Sequence, residues 1–60
     1  MNFQILCTKQ VKGCNVSLAN NGKVYFGRDL FDQLPENLQG VPFTATNIRA
    51  FEWVCRILAA

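Results

Sequence analysis

Asn15-Val16-Ser17-Leu18-Ala19-Asn20-Asn21-Gly22-Lys23-Val24-Tyr25-Phe26-Gly27 is the stretch whose reading decides the fold. Two runs alternate apolar and polar residues around Asn20-Asn21-Gly22, the pattern of a β-hairpin over about 15–27. The loop length follows from which side chains would share a face. A two-residue Asn21-Gly22 turn sets Leu18 opposite Tyr25 and Ser17 opposite Phe26, scattering apolar residues over both faces. A three-residue loop sets Leu18 opposite Val24 and Val16 opposite Phe26. Val16, Leu18, Val24 and Phe26 then share one face, and Ser17, Ala19, Lys23 and Tyr25 share the other. A slip of one residue overturns this sorting, so burial selects the three-residue loop. Gly22 then takes the left-handed position of a bulge, where a side chain is disfavoured.

Upstream, Phe3, Ile5 and Cys7 alternate with Gln4, Leu6 and Thr8, which predicts a half-buried first strand at about 2–8. Residues 9–13 read as a polar connection with a bend at Gly13. Downstream, Asp29 is placed to cap a short helical turn near 29–34, which Pro35 limits. Residues 36–40 form a loop pinned by Leu38, and Val41-Pro42-Phe43 is extended, as an edge strand can be.

The last segment predicts a helix over about 45–58. With Thr44 as N-cap, Phe43 and Ile48 fall at the two positions of a hydrophobic staple. Ile48, Phe51, Cys55 and Leu58, widened by Val54, make one apolar stripe suited to covering a small sheet. The fold class is therefore α+β, a three-stranded antiparallel sheet against a C-terminal helix, with strand order left open.

Sixty residues, half of them hydrophobic and 17% charged, make one small domain over 1–60 and exclude the disordered class. No apolar run reaches the roughly 18 residues of a membrane span, and residues 1–7 lack the basic and apolar regions of a signal peptide. The expected location is the cytoplasm. Three cysteines, Cys7, Cys14 and Cys55, show no CxxC spacing and there is no histidine, which disfavours a disulfide framework and a zinc site. Buried free thiols acting as small hydrophobes are expected, with Cys14 the most exposed of the three. A Cys7–Cys14 bridge would be opposed by a reducing compartment.

No catalytic constellation emerges, and no metal or other cofactor is expected. Histidine is absent, Asp29 and Asp32 read as a solvated helix start, and Gly13, Gly22, Gly27 and Gly40 are isolated turn residues, not a phosphate loop. An enzyme is not expected. What the helix offers instead is an apolar arc wider than a three-stranded sheet covers, because Ala50, Trp53 and Ile57 project from its flank. Either residues 29–43 fold over Trp53, or Trp53 and Ile57 stay exposed as a contact patch with Arg49 and Arg56. The second reading makes the chain a small interaction or regulatory protein whose partner is another protein or a second copy, as a homodimer. The alternative is a weak nucleic-acid binder using Lys9, Lys12, Lys23, Tyr25 and Arg28 on the outer sheet face. A net charge of +2 does not by itself imply a polyanionic partner.

Overall fold

The hairpin takes the register that burial selects. In the computed structural model, which describes residues 3–60, β2 (Cys14–Ala19) and β3 (Val24–Phe26) pair antiparallel, with Leu18 opposite Val24 and Val16 opposite Phe26. Ala19 N–H donates to Lys23 O at 3.0 Å and Gly22 N–H donates to Ala19 O at 3.0 Å, closing the three-residue loop. Gly22 has φ +84°, the left-handed region that costs a residue with a Cβ about 1–2 kcal/mol. Asn21 Oδ1 accepts from Lys23 N–H at 3.0 Å and holds the turn from inside.

β1 (Ile5–Val11) lies further along the chain than its alternation implies, and Asn2, where the expected strand starts, is outside the described residues. The run 9–13 is mostly strand rather than connection. Val11 pairs with Cys14, so only Lys12 and Gly13 turn the chain. Their φ values, +52° and +78°, are those of a type I′ turn, whose twist matches that of the flanking strands. The register then shifts between Ile5, opposite Ala19, and Cys7, opposite Leu18, leaving Leu6 as an extra residue. This bulge reverses the facing of everything before it. Cys7, Lys9 and Val11 share the helix side with Leu18 and Val16, whereas Ile5 falls on the outer face with Ala19. Phe3, Ile5 and Cys7 therefore do not form one buried row, and Phe3 instead stacks on Tyr25 with ring centroids 5.2 Å apart.

The sheet order is β1-β2-β3. After β3, α1 (Arg28–Phe31) has Gly27 as its N-cap, not Asp29; the Asp29 carboxylate accepts the N–H of Leu30 at 2.9 Å. A Cβ on Gly27 would come within 2.9 Å of that carboxylate oxygen, so the glycine leaves it room. Gln39 closes the turn region by donating its amide to Phe31 O and Leu34 O, both at 3.2 Å. Leu34 is buried and Leu38 packs against the core, as its pinning role requires. Residues 41–43 are extended but not a full strand. Val24 N–H donates to Phe43 O at 3.1 Å, Ala45 N–H donates to Gly22 O at 2.8 Å, and Thr44 bridges to Lys23.

These bonds explain why the final helix, α2 (Ile48–Ala59), begins three residues later than its periodicity allows. Thr44 and Ala45 are extended against β3 and are not available as a cap and first turn. Asn47 caps the helix, its side chain accepting Ala50 N–H at 2.8 Å. Phe43 packs near Phe26, centroids 6.3 Å apart, instead of stapling to Ile48. Ile48 becomes the first helical residue and is 50% exposed, so the buried stripe is Phe51, Val54, Cys55 and Leu58. Together with Val16, Leu18 and Leu30 these residues build the core. Losing an N-cap side chain of this kind costs typically ~1 kcal/mol. Asn47→Ala should lower unfolding stability in urea by that amount, and a Thr44→Ala variant should not match it.

Candidate functional site

The geometry of α2 decides which of its residues meet water. Phe51, Val54, Cys55 and Leu58 face the sheet, and α2 packs on β1 and β2. At about 100° per residue, Arg49, Trp53 and Arg56 then point directly away from the sheet, with Ile57 on one shoulder and Ile48 and Glu52 on the other. Trp53 is 60% exposed and Ile57 45% exposed. Residues 29–43 therefore do not bury Trp53. The Arg56 guanidinium carbon stands 5.1 Å from the indole centroid, one turn along, in a cation–π contact. Arg49, Glu52, Trp53 and Arg56 line a shallow recess of about 300 Å³. The helix thus presents a broad aromatic plate framed by two guanidinium groups.

The basic residues of the alternative reading do not make one track. Lys9 faces α2 rather than the outer face, with Nζ 3.7 Å from Glu52 Oε2. Lys12 sits in the β1–β2 turn with Nζ 3.4 Å from the Ala60 carbonyl oxygen. Lys23 is at the other end of β2, a span of about 20 Å. Lys23, Tyr25 and Arg28 do follow β3 together. Beside them lies a groove of about 370 Å³ whose wall includes Tyr25, Phe26, Phe31 and Phe43, and Arg28 borders a second recess with Phe26 and Phe31. This aromatic wall is not visible from spacing, because Phe31 and Phe43 reach it from segments whose path the sequence leaves open.

The remaining groups with chemistry in them are dispersed. All three cysteines are free, and Cys14, expected to be the most exposed, is buried because it pairs with Val11 on the helix side of the sheet. Burial pushes the Cys14 thiol up, and the Asp29 carboxylate adds to the shift; the Gln33 amide, 3.5 Å from the sulfur, opposes it. Burial likewise raises Cys55, against the nearby Lys9 ammonium. Both shifts favour the protonated thiol, the poor nucleophile. Among the described residues no group of three or more His, Cys, Asp or Glu side chains could hold a metal ion, and no helix is long and apolar enough to cross a membrane. No protein-family model matches this chain, and neither a curated protein nor a solved structure shows detectable similarity to it.

Proposed function

We propose that this small α+β domain works by binding another protein through the outer face of α2, with Trp53 at the centre of the contact. The observation that carries the reading is the 60% exposure of Trp53 on an ordered helix, beside Ile57 and between Arg49 and Arg56. A large side chain with few rotamers, left in water on a helix face, is the kind of residue that dominates interface energetics. The two arginines set the partner's chemistry. An antiparallel, two-fold pairing of this face with itself tends to bring Arg49 opposite Arg56, whereas an acidic surface with an apolar centre meets both guanidinium groups and the indole. The occupant is therefore an acidic protein surface. Binding rather than catalysis is the mode of action, and three unpaired thiols fit a reducing, cytoplasmic setting.

Arg49→Glu combined with Arg56→Glu should abolish capture of the proteins that the unaltered chain retains from a cell extract, with unchanged circular dichroism. Retention of the same proteins by the double variant overturns the reading.

The grouping of Lys23, Tyr25 and Arg28 along the aromatic groove favours nucleic-acid binding as a second reading. Its strength is limited by charge. Two phosphate contacts to a single strand give a log–log salt slope of only about −1.4, too little for useful affinity at physiological salt without several stacked bases. The helix face is the better-supported site.

A further inference from the structure

Between β3 and the segment that precedes Phe43 a groove opens. Main-chain bonds from Val24 N–H to Phe43 O and from Ala45 N–H to Gly22 O hold residues 43–45 against β3, but Val41 N–H turns away to Leu38 O. The gap left between them has a volume of about 370 Å³. Phe26, Phe31, Val41, Pro42 and Phe43 line its apolar part, and a second recess that shares Phe26 and Phe31 continues it to Arg28. The rings of Phe26 and Phe43 are tilted by 57° with centroids 6.3 Å apart, an arrangement that offers a third ring both an edge and a face.

The polar groups gather where the two segments are still bridged. Lys23 lies opposite Thr44, which sets their Cβ atoms about 4.5–5.5 Å apart on one face, and Tyr25 follows on the same face. The Tyr25 hydroxyl oxygen accepts from Asn21 Nδ2 at 3.1 Å, which holds the phenol toward the loop and leaves its own O–H proton to donate. Phe3, stacked on the ring, fixes its plane. None of the carboxylates, Asp29, Asp32, Glu36 and Glu52, lines either recess. Among the described residues the one ion pair joins Lys9 to Glu52, so neither Lys23 nor Arg28 has a counter-charge.

We propose that this groove binds a small aromatic monocarboxylate, with the carboxylate at Lys23, Tyr25 and Thr44 and the ring against Phe26, Phe31 and Phe43. Charge complementarity names the anion. An uncompensated ammonium with two hydroxyl groups beside it, and no carboxylate in the lining, suits one carboxylate held by charge-assisted hydrogen bonds. Size names a small molecule. The groove sits near the lower end of the roughly 300–1,000 Å³ of ligand pockets, predominantly apolar with a few placed polar groups. The Lys23–Thr44 bridge closes one end, so a polymer strand has no straight path through it. Two cations are also too few to hold a polynucleotide by its phosphates. The wall names the body of the ligand. Ring–ring contacts add to simple area burial, and a rigid ring loses less freedom on binding than a flexible chain. The groove shares no residue with the partner face of α2, so each site stands or falls without the other.

The test is an amide chemical-shift titration of the isotope-labelled full chain with 2-naphthoate. The shifts should saturate with a Kd below about 1 mM, as expected of a ligand of that size, and should map to Tyr25, Phe26, Phe31, Gly40 and Val41. Neutral 2-naphthamide should bind about tenfold more weakly or worse. Lys23→Gln should weaken 2-naphthoate about tenfold with an unchanged unfolding transition, because one charge-assisted bond is lost at an exposed position. Decanoate, the same charge on a flexible chain, should bind less well, and Trp53→Ala should bind 2-naphthoate as the unaltered chain does. Shifts confined to the α2 face overturn the proposal, as do equal affinity for the amide, equal affinity of Lys23→Gln, tighter binding of decanoate, or no saturation in the millimolar range. If an oligothymidylate or an acidic peptide moves these amides and 2-naphthoate does not, the groove serves a polymer and the proposal falls.

Discussion

Phe51→Ala is expected to leave the chain unfolded at 25 °C. Phe51 is the largest of the fully buried side chains and is 0% exposed. It lies on the buried stripe of α2, in the core cluster with Val16, Leu18 and Leu30. Removing a buried phenylalanine side chain costs about 3–5 kcal/mol, part in lost transfer energy and part in the cavity left behind. A core in a chain of this size rarely supplies more than about 3–5 kcal/mol in total. The two quantities are equal, so one substitution consumes the whole margin. Far-ultraviolet circular dichroism should lose the α2 signal, and urea should produce no cooperative transition. Ile48→Ala, three residues earlier on the same helix but half in water, should shift stability of the isolated chain by no more than about 0.5 kcal/mol. A cooperative Phe51→Ala variant within about 1 kcal/mol of the parent would show that the packing described here is not what holds the domain together.

The contrast between Phe51 and Ile48 also marks how far the sequence could be read. Both fit one helical stripe by spacing, and periodicity cannot separate them. What separates them is the start of the helix, set by Thr44 and Ala45 bonding to the β2–β3 loop region. That is a tertiary choice, made between two competing uses of the same N–H groups. The β2–β3 hairpin was legible because its information is local. Asn20-Asn21-Gly22 supplies the turn, and the alternation on either side admits one register with a clean apolar face. The β1–β2 hairpin carried no comparable signal. Its turn places Lys12 at φ +52°, where asparagine or aspartate is the recognisable choice. The bulge at Leu6 then breaks the period of two that predicts the first strand.

The candidate site was legible as a surplus. Counting residues around α2 shows more apolar surface than a small sheet can cover, but not where the surplus goes. That depends on the path of residues 32–44, which returns to β3 at its end, buries Leu34 in the core and packs Leu38 and Phe43 against it. The flank bearing Trp53 is left open as a result. The same path gathers Phe26, Phe31 and Phe43 along one groove, a feature no single segment announces.

Trp53→Ala is expected to separate binding from folding. The indole is 60% exposed and its principal defined contact is the Arg56 guanidinium at 5.1 Å. An exposed cation–π contact is worth about 0.5–1 kcal/mol. Alanine returns much of that through its higher helix propensity, on the order of 0.5 kcal/mol over tryptophan. Unfolding stability should therefore change by no more than about 0.5 kcal/mol, within the scatter of surface substitutions. Binding should behave differently. A tryptophan at the centre of an interface typically contributes 2 kcal/mol or more on truncation, which weakens Kd about 30-fold. The measurement pairs urea unfolding of the variant with calorimetric titration of a partner retained by the parent chain and lost from the Arg49→Glu, Arg56→Glu variant. Equal affinity for parent and Trp53→Ala would remove the indole from the contact. A loss of more than about 2 kcal/mol in stability would return it to the core. The two results are opposite in kind, because a side chain two positions from Phe51 on the same helix has been turned by 200° from the interior to the solvent.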